Sequence, residues 1–276
     1  MSTFEVSGKR YTSQELLRYW IDERELIRQA KESGLPKPWT SDPVFQRTYF
    51  TNVHREDDRV TRWIREHYTV QLLGEYYEPA IVAARIFNRI STLEHFRFKW
   101  FPISQPRLND LLQEWGDTNK TWGNAYVITT HGQKMSKVDF CVRLLQEAED
   151  KLPVPFTWDD IQCQNWYEHL MKIDGIGSFL AAQVVADLKN TPNHPLSQAD
   201  DWYTFSAPGP GSLRGLTWYH SKKITPSTYR QAIMDVASDL NWEHCMQDLQ
   251  NCMCEFDKYC RVLTGAGRSK RTYPGV

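Results

Sequence analysis

The sequence lacks any long apolar run, and this absence argues against a membrane-spanning helix. No stretch approaches the roughly 20 apolar residues that a span requires, and the opening MSTFEVSGKRYT has no apolar core of a secretion signal. Net charge is also low: a formal value of −1 argues against a protein that coats nucleic acid through overall positive charge, but is compatible with a local basic patch. We therefore expect a cytoplasmic protein without a membrane partner, whose six cysteines are reduced.

The sequence also lacks long runs in which polar and apolar residues alternate, so few or no strands are expected. Helix signals dominate instead, and they predict an all-α fold. Thr12 and Glu15 have the spacing of a capping box before a helix that should end at Gly34, while Ser136 and Asp139 should begin another. Residues 191–215 form the longest irregular region. Further helices are predicted near residues 54–68, 81–90, 178–189, 227–239 and 243–262.

The strongest local pattern is LMKIDGIGSFLAAQVVADL, which predicts two helices joined by a tight hairpin. Gly175 and Gly177 permit a sharp turn and a close approach of the backbone to a phosphate. Ile176 anchors the turn in the core, and Ser178 begins a helix whose dipole favours an anion. This hairpin is a candidate DNA-backbone contact that reads no base sequence. A helix–turn–helix of purely structural use is the alternative.

The hairpin resembles that of helix-hairpin-helix DNA glycosylases, in which a catalytic aspartate follows some two dozen residues later. Asp200 and Asp201 stand at that distance, and Asp187 lies on the helix after the hairpin. The resemblance implies a two-lobed, glycosylase-like helical fold and a target base turned out of the duplex. Asp201 is the preferred catalytic candidate, although an aspartate is also a good helix cap. We expect residues 1–45 to form an N-terminal helix and linker, and residues 46–276 to form the catalytic domain.

A closer resemblance extends over about residues 48–272. The segments FTNVHREDDRVTRWI, ARIFNRI, WGNAYVI, DWYTFSAPGPGSLRGL and CEFDKY resemble the phage α-glutamyl/putrescinyl thymine pyrophosphorylases, or amino-acid:DNA transferases. That family is related to the helical domain attached to 5-hydroxymethyluracil DNA kinases. The resemblance implies a transferase in an infected host cell that acts after a base kinase. It would displace (pyro)phosphate from the modified thymine of double-stranded DNA with a small amine, either an amino acid or a polyamine.

Arginines recur at helical spacing in two of these segments. Arg55, Arg59 and Arg62 lie at positions i, i+4 and i+7, while Arg85 and Arg89 are four residues apart. Two such stripes are a candidate clamp for pyrophosphate or the DNA backbone. A solvated, salt-bridged face is the alternative that spacing alone favours, and the resemblance reverses this preference for Arg55 and Arg89. The candidate phosphate-binding residues of these segments are Asn52, Arg55, Asp58, Arg59, Arg85, Asn88 and Arg89.

The segment APGPGSLRGL has the composition of an anion-binding loop. It is not a Walker loop, because the GxxxxGK[ST] pattern is absent, so no ATP site and no other cofactor is expected. A rigid Pro-Gly turn is the alternative. The phosphate-binding candidates of this segment are Gly209, Gly211, Ser212 and Arg214, and the basic tail adds the DNA-binding candidates Arg268, Lys270 and Arg271.

Four cysteines near the end have the spacing C-x6-C-x-C-x5-C, one residue short of an iron–sulfur pattern of some glycosylases. Helical periodicity gives a competing interpretation, in which Cys245, Cys252 and Cys260 belong to one buried stripe. Cys254 then faces away, on the same side as Lys258. We expect cations to lower the pKa of this thiol and Lys258 to contact phosphate.

Two other functions stay open at this stage. A true glycosylase would use the aspartate to stabilise an oxocarbenium-like sugar. A non-catalytic DNA-binding partner of a base kinase would need the hairpin alone.

Overall fold

The computed structural model describes residues 3–96, 101–102, 105–116, 120–123, 129–130, 132–152 and 161–267. The chain divides into two compact units. The terminal unit contains the residues up to Asp58 and those from Ser206 onwards, and the inserted unit contains Arg59–Phe205. The predicted boundary between residues 45 and 46 therefore falls within the terminal unit, and the predicted catalytic domain spans parts of both. The helical fold class is confirmed, since the described residues form helices and a single two-stranded sheet.

The terminal unit begins with a β-hairpin and a long helix. Strands β1 (Thr3–Val6) and β2 (Lys9–Thr12) pair antiparallel around Ser7 and Gly8, both of which have positive φ. Thr12 and Glu15 form the predicted capping box at the start of α1 (Ser13–Glu32), and Gly34 follows its end with φ of 69°. The short helix α2 (Pro43–Arg47) is capped by the buried carboxylate of Asp42.

Three helices from the C-terminal part of the chain complete this unit. They are α11 (Pro210–His220), α12 (Tyr229–Leu240) and α13 (Met246–Leu263). Apolar side chains of α1, α2 and these three helices share one core. Helix α1 thus folds together with α11, α12 and α13, because Leu16, Leu17 and Trp20 lie in that core with no exposed surface.

Among its described residues, the regular secondary structure of the inserted unit is helical. Its helices are α3 (Arg59–His67), α4 (Val70–Leu73), α5 (Tyr77–Phe87), α6 (Ile90–Phe96), α7 (Gln105–Gly116), α8 (Lys137–Lys151), α9 (Cys163–Leu170) and α10 (Ser178–Lys189). Ser136 caps α8 as predicted. α10 packs against α5 and α9, so the helix after the hairpin lies at the centre of this unit.

Several sequence-based boundaries are wrong, each for a local reason. The segment near residues 54–68 is not one helix: Arg55–Asp57 form a separate 3-10 turn, and Asp58 is extended before α3 begins. The predicted helix through residue 90 ends at Phe87, since Asn88 adopts a left-handed conformation with φ of 40°. The irregular region ends early because Pro210 opens α11 at its first position. None of the described helices has the length and apolarity needed to cross a membrane.

Candidate functional site

The predicted hairpin is present in the inserted unit, between α9 and α10. Ile173 and Ile176 are buried, and the amide of Ile176 donates to the carbonyl of Ile173 at 3.0 Å. Gly175 has φ of 95°, and a Cβ there would lie 2.7 Å from the ring of Phe140. Only glycine satisfies both constraints, so this position is fixed by the turn and by its packing.

Gly177 has a different reason to be glycine. It is the N-cap of α10, with φ of −83° and no cap from its own side chain, and a Cβ there would meet no atom within 4 Å. It is exposed, as are Ser178 and Phe179 after it. The first amides of a helix have no acceptor within the helix. This open N-terminus can therefore accept a backbone phosphate, as the hairpin pattern predicts.

The structure gives Asp201 a clear local contact. Its two carboxylate oxygens accept from the backbone amides of Cys163 at 2.7 Å and Gln164 at 3.0 Å, which caps the start of α9. This is the capping alternative foreseen for an aspartate. Asp200 is exposed beside it. A catalytic role of either residue stays a prediction.

Asp187 belongs to a buried polar network of the inserted unit. Its carboxylate is fully buried and accepts from Nε and Nη2 of Arg85, both at 2.5 Å. Arg85 also donates to Thr61 Oγ1 at 2.9 Å and to Asn88 Oδ1 at 3.2 Å. A bidentate contact of this kind fixes both partners, so Arg85 links α3 and α5 to the helix after the hairpin.

Arg65 extends this network, although it belongs to none of the predicted sites. Its guanidinium donates to the main-chain oxygen of Asp187 at 2.8 Å and to Thr191 Oγ1 at 2.5 Å. Tyr77 shares Thr191 Oγ1 through a 2.6 Å hydrogen bond, and burial raises its pKa. The only signal in the sequence was the spacing of Thr61 and Arg65 by four residues, which places both on one face of α3.

The two predicted arginine stripes form only in part. Arg85 is buried against Asp187, while Arg89 lies beyond the end of α5 and donates to Ser91 Oγ at 3.0 Å. Arg55 lies in the 3-10 turn of the terminal unit, whereas Arg59 and Arg62 are exposed on α3 in the inserted unit. The helical-face argument therefore holds for Arg59 with Arg62, and it is wrong for Arg55 and for the pair Arg85 and Arg89.

The strap of residues 51–57 in the terminal unit is tied to α1 and α13. Arg24 donates to Thr51 O at 2.9 Å and also contacts Asn52 Oδ1, while Asn52 Nδ2 donates to Asp57 O at 2.8 Å. The side chain of Asn52 thus holds the strap together. Asp58 follows the strap in extended conformation.

Asp248 of α13 holds the middle of the strap. Its carboxylate accepts from the backbone amide of Arg55 at 3.1 Å and lies 3.4 Å from His54 Nδ1. The contact between Asp248 and His54 Nδ1 raises the pKa of His54. The family-resembling segment around Arg55 is therefore held in a defined conformation.

The anion-binding loop predicted around Gly211 is instead the first turn of α11. A Cβ at Gly211 would lie 2.3 Å from Cys254 Sγ, and one at Gly215 would lie 1.9 Å from the main-chain oxygen of Met253. These glycines let α11 and α13 pack closely. The hydroxyl of Ser212 is buried and donates to Gly209 O at 3.0 Å. The loop interpretation is wrong, and phosphate contact by these residues stays a prediction.

Cations do gather where α11 meets α13. Arg214 and Arg261 donate to the buried carboxylate of Asp257 at 2.9 and 3.2 Å, and the side chain of Arg214 is 54% exposed. Lys258 pairs with Glu255 at 2.6 Å and lies 4.9 Å above the ring of Phe50. Because Arg214 combines a fixed position with exposure, it is the best-placed phosphate candidate among these three cations.

Cys254 does not have the predicted lowered pKa. Its thiol packs against Gly211, and burial raises the pKa to about 11, with Glu255 adding to the rise. The cations nearby only partly offset this effect. Cys252 and Cys260 are buried on the continuous helix α13, as the stripe interpretation predicts, and Cys245 caps that helix. The tail residues Arg268, Lys270 and Arg271 lie outside the described residues.

Comparison with known protein families gives a match over most of the chain. A family model described as the helical domain of 5-hmdU DNA kinase matches residues 12–269. No curated protein and no solved structure matches the chain. The matched range includes the hairpin, the network around Arg85, the strap and the helices α11 and α13.

Proposed function

Because the chain belongs to the family of 5-hmdU DNA kinase helical domains, we propose that it modifies thymine in DNA as an amine transferase. The base it acts on is 5-hydroxymethyluracil that a kinase has already phosphorylated. The enzyme replaces the (pyro)phosphate with a small amine, either an amino acid or a polyamine. The family match over residues 12–269 is the observation that carries this proposal.

The reaction needs one nucleophile, one leaving group and one proton acceptor. The neutral amine nitrogen attacks the methylene carbon on C5 of the uracil, and a carbon–nitrogen bond forms there. The bond between that carbon and the phosphate oxygen breaks, and the electron pair leaves with the (pyro)phosphate. The attacking nitrogen then loses a proton to a general base, a role that a carboxylate can fill.

The hairpin supports the DNA-binding part of the proposal. The exposed N-terminus of α10 offers backbone amides without a side-chain cap at Gly177. Such a contact grips one phosphate and does not select a base sequence. It suits an enzyme that must find a modified base in many sequence contexts, and that turns the base out of the duplex.

Residues for the chemistry follow from exposure and charge. Arg214 is the candidate for the polyanionic leaving group, since preorganised cations stabilise charge that develops in a transition state. Asp201 is the candidate proton acceptor: its oxygens each accept one amide, and a carboxylate has about four lone-pair sites. Exposed Asp200 is the alternative acceptor.

The test uses duplex DNA that carries 5-(pyrophosphoryloxymethyl)uracil. The protein is incubated with this DNA and with pools of amino acids and polyamines, and the digested nucleosides are analysed by mass spectrometry. We expect a new nucleoside that has gained one amine and lost its phosphates. Duplex with ordinary thymine and duplex with unphosphorylated 5-hydroxymethyluracil are the matched controls, and neither should react.

Two results would contradict the proposal. Loss of the base, leaving abasic sites, would indicate a glycosylase. Unchanged nucleosides with every amine, from protein that still binds the DNA, would indicate a non-catalytic partner of a base kinase.

A further inference from the structure

Asn88 is a nearly buried polar residue at the end of α5. It is 8% exposed and has φ of 40°, a left-handed conformation that asparagine tolerates better than most residues. Its backbone is fixed from two sides, since its amide donates to Ala84 O at 2.8 Å and Gly123 packs against its carbonyl oxygen. A Cβ at Gly123 would lie 2.1 Å from that oxygen, so no larger residue fits there.

The orientation of the Asn88 amide is determined by its neighbour. Arg85 Nη1 lies 3.2 Å from the Asn88 side chain, and a guanidinium has donors only. The atom that faces Arg85 must therefore be Oδ1, which removes the usual ambiguity between the two ends of an asparagine amide. Nδ2 points to the other side.

Arg85 cannot move to release this contact. Asp187 accepts from Arg85 Nε and Nη2 at 2.5 Å each, and Thr61 accepts from Nη2 at 2.9 Å. Arg85 is 1% exposed and Asp187 is fully buried. A buried ion pair of this geometry holds its members in place, because separating them would leave a charge unpaired.

The amino group of Asn88 is thereby left as an available donor. No residue in the described part of the chain accepts a hydrogen bond from Nδ2. Nδ2 is also absent from the fully enclosed polar atoms that lack a partner, so it reaches the surface. A preoriented NH2 group at the surface can donate to water, or to a ligand that displaces the water and offers an acceptor.

We propose that Asn88 Nδ2 donates a hydrogen bond to an acceptor oxygen of the modified thymine, either a ring carbonyl or a phosphoryl oxygen. This inference rests on the proposed function and adds a recognition residue to it. Arg85 and Asp187 determine the direction of the donor. In this arrangement Asp187 acts as a positioning residue, because its buried carboxylate holds Arg85.

The test is Asn88→Asp, which is nearly isosteric. The carboxylate keeps an oxygen towards Arg85 and tolerates the left-handed backbone, but it replaces the outward donor with an acceptor. The matched control is Asn241→Asp, because Asn241 also follows a helix in left-handed conformation, with φ of 53°, and is exposed. Dissociation constants are measured for three duplexes, which contain thymine, 5-hydroxymethyluracil or its phosphorylated form. Thermal midpoints are measured in parallel.

We expect Asn88→Asp to retain its thermal midpoint and its affinity for thymine duplex. Its affinity for phosphorylated duplex should fall at least about tenfold, in line with the loss of one hydrogen bond and its replacement by repulsion. An equal loss with unphosphorylated 5-hydroxymethyluracil would assign the contact to a ring carbonyl. A loss confined to the phosphorylated duplex would assign it to a phosphoryl oxygen.

Two outcomes overturn the inference, and they are distinguishable. If Asn88→Asp behaves as Asn241→Asp on all three duplexes while the unsubstituted protein prefers modified DNA, Asn88 is only a solvated helix cap and the proposed function stands. If the unsubstituted protein neither prefers modified DNA nor forms product, the proposed function fails and the recognition role fails with it.

Discussion

At the scale of single residues, buried carboxylates organise both units. Asp42 accepts from the hydroxyls of Tyr19 and Tyr259, and Asp257 from Arg214, Arg261 and Trp218. Asp187 has the corresponding position in the inserted unit. Each carboxylate ties together helices that are distant in the sequence. Substitutions at these positions should therefore lower the stability of the fold before they affect activity. Activity measurements on such variants need a folding control.

His54 makes the stability of the terminal unit depend on pH. Asp248 accepts a hydrogen bond from the protonated ring of His54, which raises the pKa of His54 in the folded protein. A raised pKa stabilises the fold fully below the unfolded value, near 6.5, and this contribution is lost as pH rises through the folded value. We expect His54→Gln to lower the free energy of unfolding by about 1 kcal/mol or less at pH 5.5, and by less at pH 8.

Urea denaturation at both pH values measures this difference. Asp248→Asn is the matched partner, since removing the negative charge beside His54 should abolish the same pH dependence. In the variant that carries both substitutions, the two losses of unfolding free energy should not add. A loss for His54→Gln that is equal at pH 5.5 and pH 8 would contradict the assignment.

Residue contacts of this kind were the least predictable part of the molecule. The sequence patterns predicted two unrelated roles, phosphate contact for Arg85 and catalysis for Asp187. They are paired with each other, because burial of one charge requires an opposite charge nearby. A linear pattern carries no information on a partner about a hundred residues away, so the pairing required the fold.

At the scale of secondary-structure elements, local chemistry was a good guide. The capping box at Thr12 and the cap at Ser136 begin helices where the sequence predicts them, and α10 has the predicted bounds. Sequence signals that act within a single helical turn therefore predicted these helix starts correctly. The start of α11 was missed because its glycines resemble a loop, whereas they serve close packing against α13. The β-hairpin, with its Ser-Gly turn, was also not located.

The hairpin before α10 allows DNA binding to be separated from folding. Gly177 occupies the N-cap with space around it, and aspartate is among the best N-cap residues. We expect Gly177→Asp to raise the thermal midpoint or leave it unchanged, because its carboxylate accepts from the first amides of α10. The same carboxylate would repel a DNA phosphate, so the affinity for any duplex should fall at least about tenfold.

Fluorescence anisotropy with a thymine duplex at low salt measures this affinity. Gly116→Asp is the control, since Gly116 lies at the end of α7 in the same unit and its Cβ would make only an ordinary contact at 3.5 Å. Equal affinities of the two variants would show that the hairpin is structural, the alternative that the sequence left open.

At the scale of the whole molecule, one of the two units is built from segments that are far apart in the sequence. The terminal unit is built from both ends of the sequence, and the inserted unit occupies the middle. The sequence predicted a boundary near residue 45, after the first helix and a linker. Local sequence signals show where a helix ends. They do not show which later helices pack against it, because those contacts join residues that are far apart in the sequence.

The terminal unit should therefore not fold without its N-terminal segment. Deleting residues 1–45 removes Leu16, Leu17, Trp20 and Ile27 from the core formed with α11, α12 and α13. Truncating one buried residue of this size costs roughly 2–5 kcal/mol. The combined loss is on the order of 10 kcal/mol, comparable with the 5–15 kcal/mol that stabilises a typical domain. Amides of α11 and α13 should consequently lose their protection from hydrogen exchange in the truncated chain.

The control for this deletion is a pair of point variants on α1. Leu17→Ala removes a side chain with no exposed surface and should cost roughly 2–5 kcal/mol, whereas Leu26 is 57% exposed and Leu26→Ala should cost little. If the truncated chain keeps native protection in α11 and α13, residues 1–45 form a helix and linker separate from that core, in line with the boundary that the sequence predicted. If protection is lost and only Leu17→Ala weakens it among the point variants, α1 is part of the core on which the strap and Arg214 depend.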